Sequence, residues 1–319
     1  MATHKNAILF TGLTLLIFAL NFVSGAINAY YFQILIYIGI SIILATSLNL
    51  INGYTGQFSL GHAGFMAIGG YASAALTHYY GAGMIAAMGG GSFGEQVTFF
   101  LSLVLAGATA GAAGLVVGVP SLRLKGDYLA ITTLGFGEII RVLIQNAEFV
   151  GGARGFTGIS KYTNFFWVFF MVLVVIYLVH NLTTSTFGRA FLSVRDDEVA
   201  SEAMGINTTN YKVIAFLIGS VFAGIAGALY AHFVLYLNPE DFGFLRSIEI
   251  VVMVILGGMG NLAGVAIAAV ILTILPEALR FVSNYRMVIY ALMLIILMLV
   301  RPQGIFGDRK VSSFFKRPA

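Results

Sequence analysis

The chain contains no cysteine and only 9% charged residues. The first absence excludes disulfide frameworks and every thiolate-based metal or redox centre. The second excludes more. A globular domain in water carries roughly 25% charged residues, because its surface has to be solvated. With so few charges, 319 residues cannot cover a water-facing body of that size. Also missing are a G-x-x-x-x-G-K-[ST] phosphate loop, an H-E-x-x-H helix and a serine nucleophile elbow. The chain therefore does not hold ATP in the usual way, and it offers no catalytic and no metal-ligating set. Asp196-Asp197 lacks the second acidic motif that a metal-dependent membrane transferase needs.

What is present is apolar. Hydrophobic residues make up 59% of the chain and the mean hydropathy is +0.93. Lipid is then the solvent for most of it. The net charge of +4 would raise the question of nucleic acid in a soluble protein, but here the basic residues cluster at the ends of apolar runs.

A spanning helix needs roughly 20 mainly apolar residues, and backbone exposed to lipid has to satisfy its own polar groups. Candidate spans are 7–23, 33–51, 58–79, 97–118, 128–147, 165–180, 213–237, 247–258, 262–279 and 285–300, with 247–279 open to the alternatives of one long broken helix or a re-entrant segment. The first is read as a retained helix rather than a cleaved leader, because Ser24-Gly25-Ala26 is a poor cleavage site. The expectation is an all-α integral membrane bundle of about ten crossings, a single transmembrane domain over 1–319. With that count, eleven basic residues fall in one set of loops and five in the other. The positive-inside rule then puts both termini and the basic tail 301–319 in the cytoplasm. Gly107, Gly111, Gly114 and Gly118 form one small-residue series and Ser220, Gly224 and Gly227 another, as close helix packing in lipid requires. The glycine-rich breaks at 56–64 and 257–264 share a loose Leu-Gly-x-x-Gly wording. Both fall on the same expected side, which does not suit an inverted repeat.

Three segments carry mechanism. In Asn49 to Ser73, glycines break the helix and polar residues follow directly. Asn52, Gln57, Ser59, Gly61, His62 and Gly64 are candidates for a broken helix beside a translocation path, where polar groups are tolerated at membrane depth. A short cytoplasmic turn with a buried, hydrogen-bonded His62 is the alternative. In 127–146, Glu138 and Arg141 stand three apart and share one helical face. Inside a span they pair structurally or line a path. In 181–212, Ser193 with Asp196 three residues on matches a capping box, and Gly205 is a helix stop. This predicts a short cytosolic helix, capped at Ser193, with an apolar stripe of Val199, Ala200, Ala203 and Met204. Such a helix is either a lid on the protein itself or a docking element for a partner.

At several separate segments the sequence resembles the membrane permeases of ABC importers for branched-chain amino acids, the M-type subunit of the Liv systems. The segments are GYTGQFSLGHAGFMAIGGYAS (53–73), LKGDYLAITTLGFGEIIRVLIQN (124–146), GGARGFTGI (151–159), GRAFLSVRDDEVASEAMGIN (188–207), GGMGNLAG (257–264) and RPQGIFG (301–307). The resemblance implies a second, homologous permease subunit, two ATP-binding subunits that hold ATP and Mg, and an extracytoplasmic solute-binding protein. It implies a bacterial or archaeal plasma (inner) membrane. It also implies that the 188–210 segment is the ATPase-coupling element, with Arg195, Asp196, Asp197, Glu198, Glu202, Ala203 and Gly205 in it. Within the family, permeases for branched-chain amino acids, other amino acids, short amides and urea look alike. A self-sufficient secondary transporter or channel is the competing class, which normally carries more charge deep in its spans.

Overall fold

The computed structural model describes residues 2–282, apart from 24, 26, 123 and 125, and isolated positions up to 304. The expected span 285–300 and tail 301–319 lie largely outside the described residues, as do Arg123, Lys125 and Arg286. The helices are α1 Ala2–Val23, α2 Ala29–Asn49, α3 His62–Ala87, α4 Gly91–Ser121, α5 Asp127–Gln145 and α6 Phe165–Thr184. They continue with α7 Thr186–Asp196, α8 Glu198–Ala203, α9 Thr208–Val234, α10 Phe244–Gly257 and α11 Leu262–Ala278. No strand longer than a single Phe156–Leu237 bridge occurs among the described residues.

Four helices are long and apolar enough to cross a membrane: Ala29–Tyr54, Gly91–Ser121, Phe165–Thr184 and Thr208–Val234, with shorter apolar helices over Phe10–Phe22 and Leu262–Ala278. Asparagine starts several helices. The side chains of Asn28, Asn164, Asn207 and Asn261 accept N–H groups in the first turns of α2, α6, α9 and α11, satisfying donors that a helix start leaves bare.

The tightest packing joins α3, α4 and α9, and small residues allow it. A side chain at Gly69 would run into the Gly224 backbone, and one at Gly227 into the Met66 carbonyl. Gly114 faces Ser220, and Gly111 faces Leu217 and Val221. Both small-residue series thus lie where helices approach closest, as dispersion packing in lipid demands. Across this trio lies α2, whose residues from Ile38 to Asn49 are all buried. By contrast α5 buries only Leu129, Ala130, Thr133 and Ile140. It packs on one flank of the bundle and leaves most of its length open.

The break after Gly257 separates two helices that fold back on each other. A Cβ at Gly257 would collide with the Val265 backbone, and Gly258 and Gly260 take φ of +93° and +84° to make the reversal.

Candidate functional site

The first break is not a surface turn. Helix α2 ends in a buried π-helical turn, Leu50–Tyr54. The chain then runs back alongside α2 without helical bonds of its own: the Gln57 N–H donates to the Ile51 carbonyl at 3.1 Å, and the Ser59 N–H to Asn52 Oδ1 at 3.2 Å. His62, the first residue of α3, stands beside Ser47. That is seven residues back from Tyr54, or roughly 10 Å along α2 at 1.5 Å per residue. Helix α3 therefore begins inside the span rather than at its edge, four residues later than the expected 58.

His62 is fully buried. The Ser47 hydroxyl donates to the Leu44 carbonyl at 2.9 Å, so its oxygen accepts from His62 Nε2 at 2.8 Å. This assigns the proton to Nε2 and leaves Nδ1 a bare acceptor with no partner among the described residues. Its neighbours are in the same condition. Asn49 Nδ2, Asn52 Nδ2, both side-chain amide atoms of Gln57 and Ser59 Oγ are buried and unpartnered. Buried polar groups are bonded in the great majority of cases, and each one left bare costs about 1–3 kcal/mol. Gly61 and Gly64 serve packing: the first lies against the Thr133 carbonyl and the second against Gly137 of α5.

Two helix starts meet on α5. The Leu60 N–H donates to Thr133 Oγ1 at 3.0 Å, just before α3, and the Phe244 N–H at the start of α10 donates to Glu138 Oε1 at 3.1 Å. Ala63 in α3 donates to Ser247 Oγ in α10 at 3.2 Å. Glu138 and Arg141 do pair, at 2.7 Å, and Arg141 reaches on to Glu240 at 2.9 Å, which also accepts from Gln145 at 2.6 Å. In the connection 235–243, burial pushes the Asp241 carboxyl above its ordinary value, opposed by the Arg246 guanidinium, with Glu240 adding to the rise. Beyond Gln145, a polar cavity of about 720 Å³ is lined by Gln145, Asn146, Glu148, residues 151–155 and Thr157.

The 186–207 segment departs from the expected single helix capped at Ser193. Ser193 lies inside α7 and its hydroxyl donates to the Ala190 carbonyl at 3.0 Å. Burial of Phe191 and Val194 against the body keeps these residues helical, and this outweighs the capping preference of serine. The actual cap is Asp197, which breaks the helix in extended geometry and accepts from the Ala200 N–H at 3.0 Å. Asp196 closes α7 and pairs with Arg195 at 3.0 Å. Gly205 does end α8: at φ +84° it donates to the Glu202 carbonyl, while Ile206 donates to the Ser201 carbonyl. These two bonds make a Schellman motif.

The two short helices differ in attachment. Phe191 of α7 sits in an apolar cluster with Leu50 and Tyr54 of the π turn and Ala215 of α9. Arg195 reaches the Gly53 carbonyl at 3.3 Å, and its side chain lies against Gly56. Helix α8 is held by its polar side: Glu198 pairs with buried Lys212 at 2.7 Å, and Glu202 accepts from Thr208 Oγ1 at 2.6 Å. Its other side, Val199, Ala200, Ala203 and Met204, is open to solvent, with Val199 70% and Met204 82% exposed.

Ser47, Asn49, Thr133, Glu240 and Ser247 were not legible as site residues. The signal for the first two was a serine and an asparagine in a strongly apolar span. The other three gave none, because their partners are remote in the chain.

Four helices long and apolar enough to cross a membrane, joined by breaks such as those at 50–61 and 258–261, define the class of polytopic helical membrane proteins. The chain belongs to the family of branched-chain amino acid transport system permease components, whose profile matches residues 30–298. It is similar to the high-affinity branched-chain amino acid transport system permease protein LivM of Salmonella typhimurium, 36% identical over 83% of this chain and 67% of that protein. It is also similar to the probable LivM permease of Methanocaldococcus jannaschii, 26% identical over 88% of this chain and 94% of the relative. The LivH permease of Escherichia coli is 28% identical over 58% of this chain and 61% of its own length. No solved structure matches the chain.

Proposed function

We propose that this chain is one of two permease subunits of an ATP-driven importer that carries branched-chain amino acids inward across a bacterial or archaeal plasma membrane. It crosses the bilayer about ten times with both termini in the cytoplasm. A second, LivH-like permease completes the path, two ATP-binding subunits hold ATP and Mg, and an extracytoplasmic binding protein delivers the solute. ATP closes the ATPase pair, and its preferential binding to that closed state supplies the free energy that switches access to the path.

One observation carries the coupling role: α8 is inside out. A surface helix normally buries its apolar side and hydrates its polar side. Here the polar side is bound to the body through Lys212 and Thr208, and the apolar side faces away. That orientation suits a helix whose apolar side belongs to another protein. Helix α7 connects it to the first break through Phe191 and Arg195.

The double variant Val199→Asp, Met204→Asp tests this. Membrane insertion should be normal, while co-purification of the ATP-binding subunits and ATP-driven uptake are lost. Wild-type ATPase association in that variant would overturn the docking role.

A further inference from the structure

We propose that the start of α3 is a binding station for the α-carboxylate of the transported amino acid, occupied when segment 55–61 moves away from α2. The proposal rests on the importer reading and adds the recognition chemistry.

Eight buried side-chain atoms lack a partner among the described residues, and six of them belong to Asn49, Asn52, Gln57, Ser59 and His62. None of these residues is more than 4% exposed. Asn52, Gln57, Ser59 and His62 lie together where segment 55–61 runs back along α2, and Asn49 borders the second break through Gly260. His62 opens α3, Gln57 and Ser59 precede its Gly61 cap, Asn52 holds the Ser59 N–H, and Ser47 ties His62 to α2. Gly61 contributes no side-chain cap to this 26-residue helix, whose first-turn donors are met in part by Ser247 Oγ at Ala63 and by the Gly61 carbonyl at Gly64.

The chemistry of the bare atoms selects the ligand. The Asn52 and Gln57 amides and the Ser59 hydroxyl are donors, and the helix dipole adds positive potential at the start of α3. Donors at a broken-helix start within a membrane favour a carboxylate. Gln57 Oε1 and His62 Nδ1 are acceptors suited to an ammonium group. The five residues include no charged side chain, so a lone metal cation finds no counter-charge among them. A zwitterion brings its own.

The segment is built to open. Residues 57 and 59 face inward while Gly56 and Phe58 face out, the alternation of an extended strand. It makes no helical bonds, Gly56 has φ +70°, and Arg195 of α7 lies directly on Gly56. Movement of the α7–α8 unit therefore acts on the lid of the cluster.

The absence of cysteine allows a direct test. Ser59→Cys, which changes little in volume, and Gln57→Cys are introduced singly into the complete transporter in proteoliposomes. Each is challenged with a small charged thiosulfonate in the apo, ATP-bound and vanadate-trapped states. Ala67→Cys, one turn further along α3 and buried, is the control. The expected result is labelling at 57 and 59 in at least one nucleotide state and none at 67. Leucine should slow that labelling several-fold and leucinol, which lacks the carboxylate, should not. Equal protection by leucinol would overturn the carboxylate assignment. Labelling that neither compound slows would mean the cluster holds water only and would overturn the station. No labelling in any state would overturn it as well. Co-purification of the ATP-binding subunits, measured on the same samples, reports separately on the importer reading.

Discussion

His62 and His232 are both fully buried, and each meets a serine hydroxyl through Nε2. His232 donates from Nδ1 to the Ser160 carbonyl at 2.8 Å and accepts from Ser73 at 2.9 Å, so nothing on its ring is left bare. His62 has one partner and an orphan nitrogen. The two glycine-rich breaks differ in the same way. At 258–261, Asn261 caps α11 by accepting from Gly264, and Gly260 donates to Asn49 at 2.8 Å. At 50–61 the polar side chains are left over. Similar wording in the sequence thus produces one finished hinge and one unfinished polar cluster.

Substitutions test the contrast. His232→Ala should have the largest effect on folding. It strands Ser73 and Ser160 and opens a cavity beside Phe99 and Tyr162, a loss of about 3 kcal/mol. Thermal unfolding in detergent reads it. His62→Gln should keep stability within about 1 kcal/mol, because the glutamine amide can still donate to Ser47, while uptake falls sharply. Equal destabilisation by the two changes would erase the distinction between the regions. Asn261→Ala removes the cap of α11 and should cost about 1 kcal/mol, with uptake largely kept in membranes. Gly205→Ala forces a Cβ into left-handed backbone where no neighbour crowds it. It should cost about 1 kcal/mol, visible as faster proteolysis of the 197–207 segment and not as loss of the bundle.

Much of this was readable in the chain. The apolar runs located the helices over 7–278, with most ends within about five residues but α3 ending eight residues later and α4 starting six residues earlier than expected, and 247–258 and 262–279 are separate helices, α10 and α11. The glycine series marked the α3–α4–α9 contacts. Gly205 worked as a stop. Ser193 is not a cap, because burial of Phe191 and Val194 outweighs its local capping preference. The depth of the first break was also out of reach, since an extended stretch running back along α2 has no signature different from that of a surface loop.

The sequence by itself determined that lipid is the solvent and that helices break near 52–56, 205 and 257–260, because these follow from composition and backbone preference, and its agreement with relatives over several segments determined the family. Only the tertiary structure decided which polar side chains are satisfied and which side of α8 is presented. Those outcomes depend on partners such as Asn49 with Gly260 and Ala63 with Ser247, which are 211 and 184 residues apart. No local pattern encodes a hydrogen bond across such a distance; the folded bundle has to bring its two ends together first.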